Sequence, residues 1–581
     1  MLSANASAQT LPSVPVPSEN PITEPKRVLG KILFWDEQLS SDNITACGTC
    51  HIPSAAGTEP RFGVNPGPDL TFVTPDDIFG SPGIPKADAD GRYVVDASFG
   101  TGVQVTGRSA PTMINAAYAF DLFWDGRATG QFTDPETGSV AIAFEGALES
   151  QAVGPPLSDV EMGHPGRDWA MISSKLASAR PLALATDLPL DVEAAIDSFP
   201  TYPDLFAEAF GDGTINARRI AFAIATYERT LISDQSPWDA FQLGDASALT
   251  PEEVQGWQVF QGSTCGICHV PPLFTDQSFR NIGVRPNNED TGRQGVTGQP
   301  FDSGAFKTPS LRNVGLKSSF MHNGEFVTLQ EVLNFYALPP GPGRFNVDPF
   351  IPSPIPPPDR GAVAAFLGTG LLDPRVANET FPFDRPTLRS ELAANPVVTG
   401  AGVPDTSGTV PAMLVDNPPL AGSDGFRLGV TGIADGAQVE LLISSVAPVG
   451  SVLTAEETVG PLTASLNGGT EPVATAFWPV PDDPTLDGLV LYFQWFVPAT
   501  GVRSAVAEAT IFCGTGGCSE RCPGDVNADG EVTDSDFFAW VTAFVATPRS
   551  PEQEAACDVN RDSTCTDSDF FAWVTAFVNG C

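Results

Sequence analysis

The chain has 581 residues, 42% of them hydrophobic, and a formal net charge of -40. That charge disfavours nucleic acid and anionic membrane surfaces as partners and suits an exported protein, a cationic partner or bound calcium. No apolar run approaches the roughly 18 residues of a membrane-spanning helix, and the length predicts several domains.

Residues 1–25 are rich in Ser and Pro and read as a flexible lead-in in which no signal peptide is visible. Cys47-Gly48-Thr49-Cys50-His51 follows. Two cysteines three positions apart with a histidine next form the attachment signal for c-type haem: the thiols become thioethers to the porphyrin and the imidazole is the proximal iron ligand. The pattern returns as Cys265-Gly266-Ile267-Cys268-His269. With 10 Cys and 4 His in the chain, one such match is expected only about 0.001 times by chance. A disulfide or half of a zinc site is the bland alternative, but no second CxxC accompanies either copy and both end in His. Two covalently attached haems are expected, with His51 and His269 on the irons.

The first haem region spans 26–240. Its stretch 59–107 is rich in Gly, Pro and Asp and reads as long loops over a haem. Helices are expected over 113–120, 191–198 and 217–232, the last from Ile220, Ala221, Ile224 and Leu231 at helical spacing. The second haem region spans 241–394. Thr250-Pro251-Glu252-Glu253 predicts a capped helix start, 339–358 a Pro-rich loop and 362–371 a closing helix. Over 395–513 the periodicity changes to short β-branched and aromatic runs between Gly, Pro and Asp turns, which predicts an all-β sandwich.

The tail, 514–581, repeats itself: 534–545 and 567–578 both read DSDFFAWVTAFV. Acidic loops precede the two copies. Asp525, Asn527, Asp529 and Asp536 in one, and Asp558, Asn560, Asp562 and Asp569 in the other, stand at positions 1, 3, 5 and 12. That is the oxygen-ligand spacing of a calcium loop. Ser563 replaces the tight-turn Gly in the second. Cys513, Cys518, Cys522, Cys557, Cys565 and Cys581 crowd this end and read as disulfides, hence an oxidising compartment.

Only His164 and His322 remain besides the two haem histidines. None lies between His51 and His164, so the first iron has an open distal face unless His164 or a Met folds back. An open iron binds peroxide or oxygen, whereas a six-coordinate one mainly moves electrons.

Further motifs carry a family likeness. Arg108-Ser109-Ala110-Pro111-Thr112 precedes Trp124-Asp125-Gly126-Arg127, then Gln151-Ala152-Val153-Gly154-Pro155 and Val160-Glu161-Met162-Gly163. Lys307-Thr308-Pro309-Ser310-Leu311-Arg312-Asn313 precedes Phe320-Met321-His322-Asn323-Gly324. With two CxxCH motifs in this order, residues 28–385 resemble bacterial di-haem cytochrome c peroxidases and the related MauG-type enzymes. The tail resembles dockerin domains.

The resemblance implies roles. Glu161 is the distal acid and base for peroxide, Gln151 hydrogen-bonds the distal oxygen, and Trp124 lies between the haems and relays electrons. Typical peroxidases of the family place a Met fourteen residues after the HxG histidine; Tyr336 stands there, as in MauG-type enzymes, as a haem ligand. A labile distal His on the first haem is missing, which implies a resting enzyme open to peroxide. The usual Asn of the inter-haem calcium site is replaced by Ser109. The expected fold is multidomain: two mainly α-helical cytochrome c-like haem domains, an all-β sandwich, and a small α dockerin-like pair of EF-hand type.

The expected function is a di-haem c-type peroxidase, reducing hydrogen peroxide at the first haem with electrons from the second. MauG-like oxidation of a protein or peptide, and a non-catalytic electron carrier, are the alternatives. Expected partners are a small cytochrome or cupredoxin donor and a cohesin-like or surface partner for the tail. The expected location is periplasmic or extracellular.

Overall fold

In the computed structural model, residues 10–515, with 517, 540 and 541, are described. One helix crossing is built twice. In the first half the helix Glu24–Trp35 crosses the helix Ala217–Glu228, burying Leu29, Ile32, Leu33, Ile220 and Ile224 between them. Apolar residues at helical spacing make these faces, and burying each is worth about 1.5–3 kcal/mol. Gly30 lies at the crossing: a Cβ there would stand 1.9 Å from the Ala223 carbonyl oxygen, so any larger residue pushes the helices apart. In the second half the helix Pro251–Gly262 meets the helix Arg360–Ala365, and a Cβ on Gly256 would stand 1.9 Å from the Ala362 oxygen. Thr250 caps the former helix through a capping box with Glu253, as its sequence predicts.

The repeated frame goes further. Cys47–Cys50 and Cys265–Cys268 each form one helical turn. Asn115 and Asn313 share φ 59° and ψ 14°, and each starts a 3-10 turn, Ala116–Tyr118 and Val314–Leu316. Asn tolerates this left-handed backbone through its short polar side chain. It interrupts the helix expected over 113–120, leaving only that turn. Phe123 and Met321 (φ 64° and 70°) then precede Trp124 and His322, and Gly126 and Gly324 (φ 71° and 68°) follow.

The stretch 59–107 holds short antiparallel pairs where loops were expected: Gly63–Asn65 with Ile78–Gly80, and Pro82–Pro85 with Val103–Val105. Residues 12–20, expected as a flexible lead-in, are held against the first half. Tyr118 donates to the Pro12 carbonyl, and buried Asn20 donates to Glu149 and to the Phe222 carbonyl.

The β-rich region has eight strands: β1 (Val397–Thr399), β2 (Ala412–Leu414), β3 (Arg427–Thr431), β4 (Gln438–Ser444), β5 (Glu457–Thr463), β6 (Ala474–Phe477), β7 (Val490–Val497) and β8 (Val502–Thr510). They form two antiparallel sheets, ordered β2-β3-β6 and β5-β4-β7-β8-β1. In register, Leu441 faces Trp495 and Gly429 faces Thr475. Phe493 of β7 packs edge-on against Phe426 and Trp478, which flank β3 and β6.

This region grips the first half. Arg427 lies 4% exposed over the Tyr93 ring, 4.4 Å to its centroid, and pairs with Asp416 at 3.0 Å and Asp42 at 3.3 Å. It also donates to the Gly91 carbonyl, while Thr470 N–H donates to Val95. The strap 86–96 is thereby tied to the β-rich region. Cys513 is in a disulfide. The expected calcium ligands Asp525, Asn527, Asp529, Asp536, Asp558, Asn560, Asp562 and Asp569 lie outside the described residues.

Candidate haem and peroxide sites

Each CxxCH turn presents free thiols and an anchored imidazole. His51 Nδ1 stands 3.0 Å from the Gly57 carbonyl oxygen, and His269 Nδ1 stands 3.0 Å from that of Phe274. A ring nitrogen facing a carbonyl carries the proton, which leaves Nε2 as the lone-pair donor. Burial lowers the pKa of both rings, so both stay neutral and able to ligate. Cys47, Cys50, Cys265 and Cys268 are all free. Two thiols and one neutral imidazole are the donor set of a c-type haem, so the residues present fit that group at both sites.

The first site is a cavity of about 630 Å³ with Cys47, Cys50 and His51 on one wall. Glu161, Gln151, Trp124 and Arg127 line it too, so the structure gathers here the three residues assigned by resemblance. Gln151 sits on the short helix Ala147–Ala152. Glu161 is partly buried; burial raises its carboxyl pKa, against the pull of Ser158 and Arg127. The backbone just before it is pinned by the strand Pro82–Pro85: Ile84 N–H donates to the Val160 carbonyl, and a Cβ on Gly83 would lie 1.9 Å from the Val160 oxygen. Met113 and Met162 also line this cavity, Met113 beside Gly57 on the His51 side. His164 is absent from the wall; its Nδ1 faces the Pro165 carbonyl in an exposed position.

The second site is a narrower cavity of about 160 Å³ lined by Cys265, Cys268, His269, Tyr336, His322, Lys317 and Trp124. Burial raises the Tyr336 pKa, with the Cys265 and Cys268 thiols adding to it. Trp124 therefore lines both cavities. It is 6% exposed, and its Nε1–H donates to the Ser109 carbonyl at 2.8 Å. Ser109 donates its hydroxyl to the Met321 carbonyl at 2.9 Å. Arg108 bridges Asp125 and Asp290 at 2.6 and 2.7 Å, joining the two halves around this point.

His322, read from sequence as structural, is the second half's counterpart of Trp124. The two rings meet edge to face, 6.3 Å apart, and His322 stacks on Phe306 at 3.6 Å. Burial pushes its pKa down to about 3, which keeps it neutral. The signal was present in the repeated spacing of Pro111, Asn115 and Gly126 against Pro309, Asn313 and Gly324. Arg312 is taken by Asp239 at 2.7 Å, both nearly inaccessible, and serves the packing of the second half. Sequence reasoning also passed over Glu228 and Lys317. Glu228 ends the helix Ala217–Glu228, lines the first cavity and has a buried Oε2 without a hydrogen-bond partner.

Two CxxCH sites that share one tryptophan wall define a di-haem c-type protein. A family model for di-haem cytochrome c peroxidase matches residues 24–247, and one for the dockerin type I domain matches 523–578. The chain is 31% identical over 331 residues to methylamine utilization protein MauG of Methylorubrum extorquens, covering 56% of this chain and 72% of that one. It is 28% identical over 335 residues to cytochrome c551 peroxidase of Nitrosomonas europaea, covering 57% and 78%. Among solved structures, a MauG-like protein associated with microbial copper homeostasis aligns with TM-score 0.46 at 24% identity, covering 64% of this chain and 96% of that one. The chain belongs to the di-haem cytochrome c peroxidase family.

Proposed function

We propose that this chain is an exported di-haem peroxidase that reduces hydrogen peroxide to water in the first cavity, with electrons arriving from the second site past Trp124. When bound, the haems supply the iron and the electrons that break the O–O bond. The observation that carries the reading is the gathering of His51, Glu161, Gln151 and Trp124 on one cavity whose tryptophan also walls the second site. Glu161 takes a proton from one peroxide oxygen and returns it to the other; a carboxyl whose pKa is raised by burial suits that exchange. The Gln151 amide donates to the distal oxygen and orients it. Arg127, held by Asp125 at 3.1 Å and stacked over Phe123, keeps positive charge at the entrance. Trp124, held by the Ser109 carbonyl, is the aromatic path between the sites.

The electron donor is a small cytochrome or cupredoxin with a basic face, matched to the acidic chain. The dockerin match supports calcium binding and a cohesin-like partner for the tail, and with the family supports a periplasmic or extracellular location. A second reading, peroxide-dependent oxidation of a protein or peptide, is favoured by Tyr336 on the wall of the second cavity, where a tyrosinate ligand stabilises oxidised iron.

Electron paramagnetic resonance of the resting ferric protein tests the proposal. A high-spin signal beside a low-spin one is expected, from an open first site and a ligated second. Two low-spin signals overturn the open-site reading and point to an electron carrier, with Met113 and Met162 as the first variants to make.

A further inference from the structure

We infer that Lys317 is a positioning residue for the second haem, its ammonium pairing with a haem propionate at the junction of the two halves. This rests on the di-haem reading above. Lys317 follows the turn Val314–Leu316 and lines the second cavity beside Trp124 and Tyr336. It also lines a cavity of about 70 Å³ between the halves, with Ala56, Pro111 and Thr275. It is absent from the wall of the first cavity, which assigns it to the second haem.

Among the described residues, the Lys317 ammonium has neither a hydrogen bond nor an ion pair, in a chain with 70 acidic and 30 basic residues. Three buried guanidiniums elsewhere are matched by carboxylates: Arg229 by Glu149, Arg312 by Asp239, Arg427 by Asp416 and Asp42. Glu59, which also lines a small cavity with Lys317, is taken by Arg61 at 2.7 Å. Lys307, on the same walls, spends its ammonium on the Asp121 carbonyl at 2.6 Å. Burial alone pulls the Lys317 pKa down to about 8, with no carboxylate pushing back.

Lys317 is half-buried, and an ammonium on a cavity wall that loses water without a protein partner is costly, a cost that an anion in that cavity offsets. Haem carries two propionates, and the second cavity is where one arrives. The fold itself does not need the lysine: in the repeated frame, four residues after Asn115, the first half has Ala119. A positive charge near the second iron favours its reduced form, so Lys317 raises that haem's potential.

The test uses the full-length holoprotein, with two haems per chain counted first by the pyridine haemochrome; one haem per chain overturns the di-haem reading rather than this one. Potentiometric titration followed by absorbance then compares Lys317→Met with Lys317→Arg. The expected result is an approximately tenfold weaker reduction equilibrium at the second haem in Lys317→Met, about 59 mV for one electron. Lys317→Arg restores the potential, and the first haem barely moves. An unchanged second potential in the loaded Lys317→Met protein overturns the proposal. If Lys317→Met and Lys317→Gln fail to retain the second haem while Lys317→Arg retains it, the charge is needed for retention and the proposal stands. Loss in all three makes the residue a packing element and overturns it.

Discussion

Arg427→Met removes the cation that ties the β-rich region to the strap 86–96. The guanidinium is 4% exposed, and its carboxylate partners, Asp42 and Asp416, have side chains 1% and 20% exposed. Methionine fills most of the volume and keeps contact with Tyr93, so packing is little changed and the loss is electrostatic. Two largely buried carboxylates then lose the guanidinium they share, with Lys175 still acting on Asp42, and the hydrogen bond to the Gly91 carbonyl is lost. Stranding one buried charge costs about 3–5 kcal/mol, and these terms overlap rather than add, so the expected loss at pH 7 is about 4 kcal/mol. Burial already raises the Asp42 pKa, with Asp416 adding to it; without Arg427 it rises further. A carboxyl whose folded pKa is raised loses stability as pH rises from its unfolded to its folded value, so the deficit shrinks toward pH 4 as Asp42 takes up its proton. Urea unfolding by tryptophan fluorescence at pH 7 and pH 4 measures the deficit, and amide exchange at residues 91–95 reports whether the strap loosens. A loss below about 1 kcal/mol at pH 7, or an equal loss at both pH values, refutes the reasoning.

Glu161→Gln is expected to lower peroxide turnover by about 10²–10⁴-fold with unchanged haem absorbance, read by stopped flow; a loss under about tenfold removes Glu161 as the proton-transfer group. Gly256→Ala places a methyl 1.9 Å from the Ala362 oxygen. Its overpacking cost of about 1–3 kcal/mol or more exceeds the roughly 1 kcal/mol of helix propensity gained, so the thermal midpoint falls; an unchanged midpoint contradicts the tight crossing. Burial holds the Glu228 pKa at about 8 against an ordinary 4.5. The unfolded chain therefore binds fewer protons between those values, and stability falls as pH rises through them. Glu228→Gln is expected to be more stable than the parent at pH 7, by about 3 kcal/mol at most, and equal to it near pH 4; denaturation at the two pH values checks the sign.

The haem attachment points, the helix faces around Ile220 and Ile224 and the capped start at Thr250 were legible because each depends on neighbours within a few residues. CxxCH needs only one turn of backbone, an amphipathic helix only its own spacing, and a capping box only four positions. Glu161, Gln151 and Trp124 carried no local signal of their own, and their place was known only through ordered motifs. The tertiary structure decided that they share one cavity with His51, and that Trp124 lines the second cavity too. It also decided what sequence reasoning missed: the meeting of Trp124 with His322, the charge of Lys317 facing the second cavity, and the grip of Arg427 on the strap. Those are contacts between residues tens to hundreds of positions apart, set by how two copies of one helix crossing and a β-rich region pack together, and no periodicity along the chain encodes them.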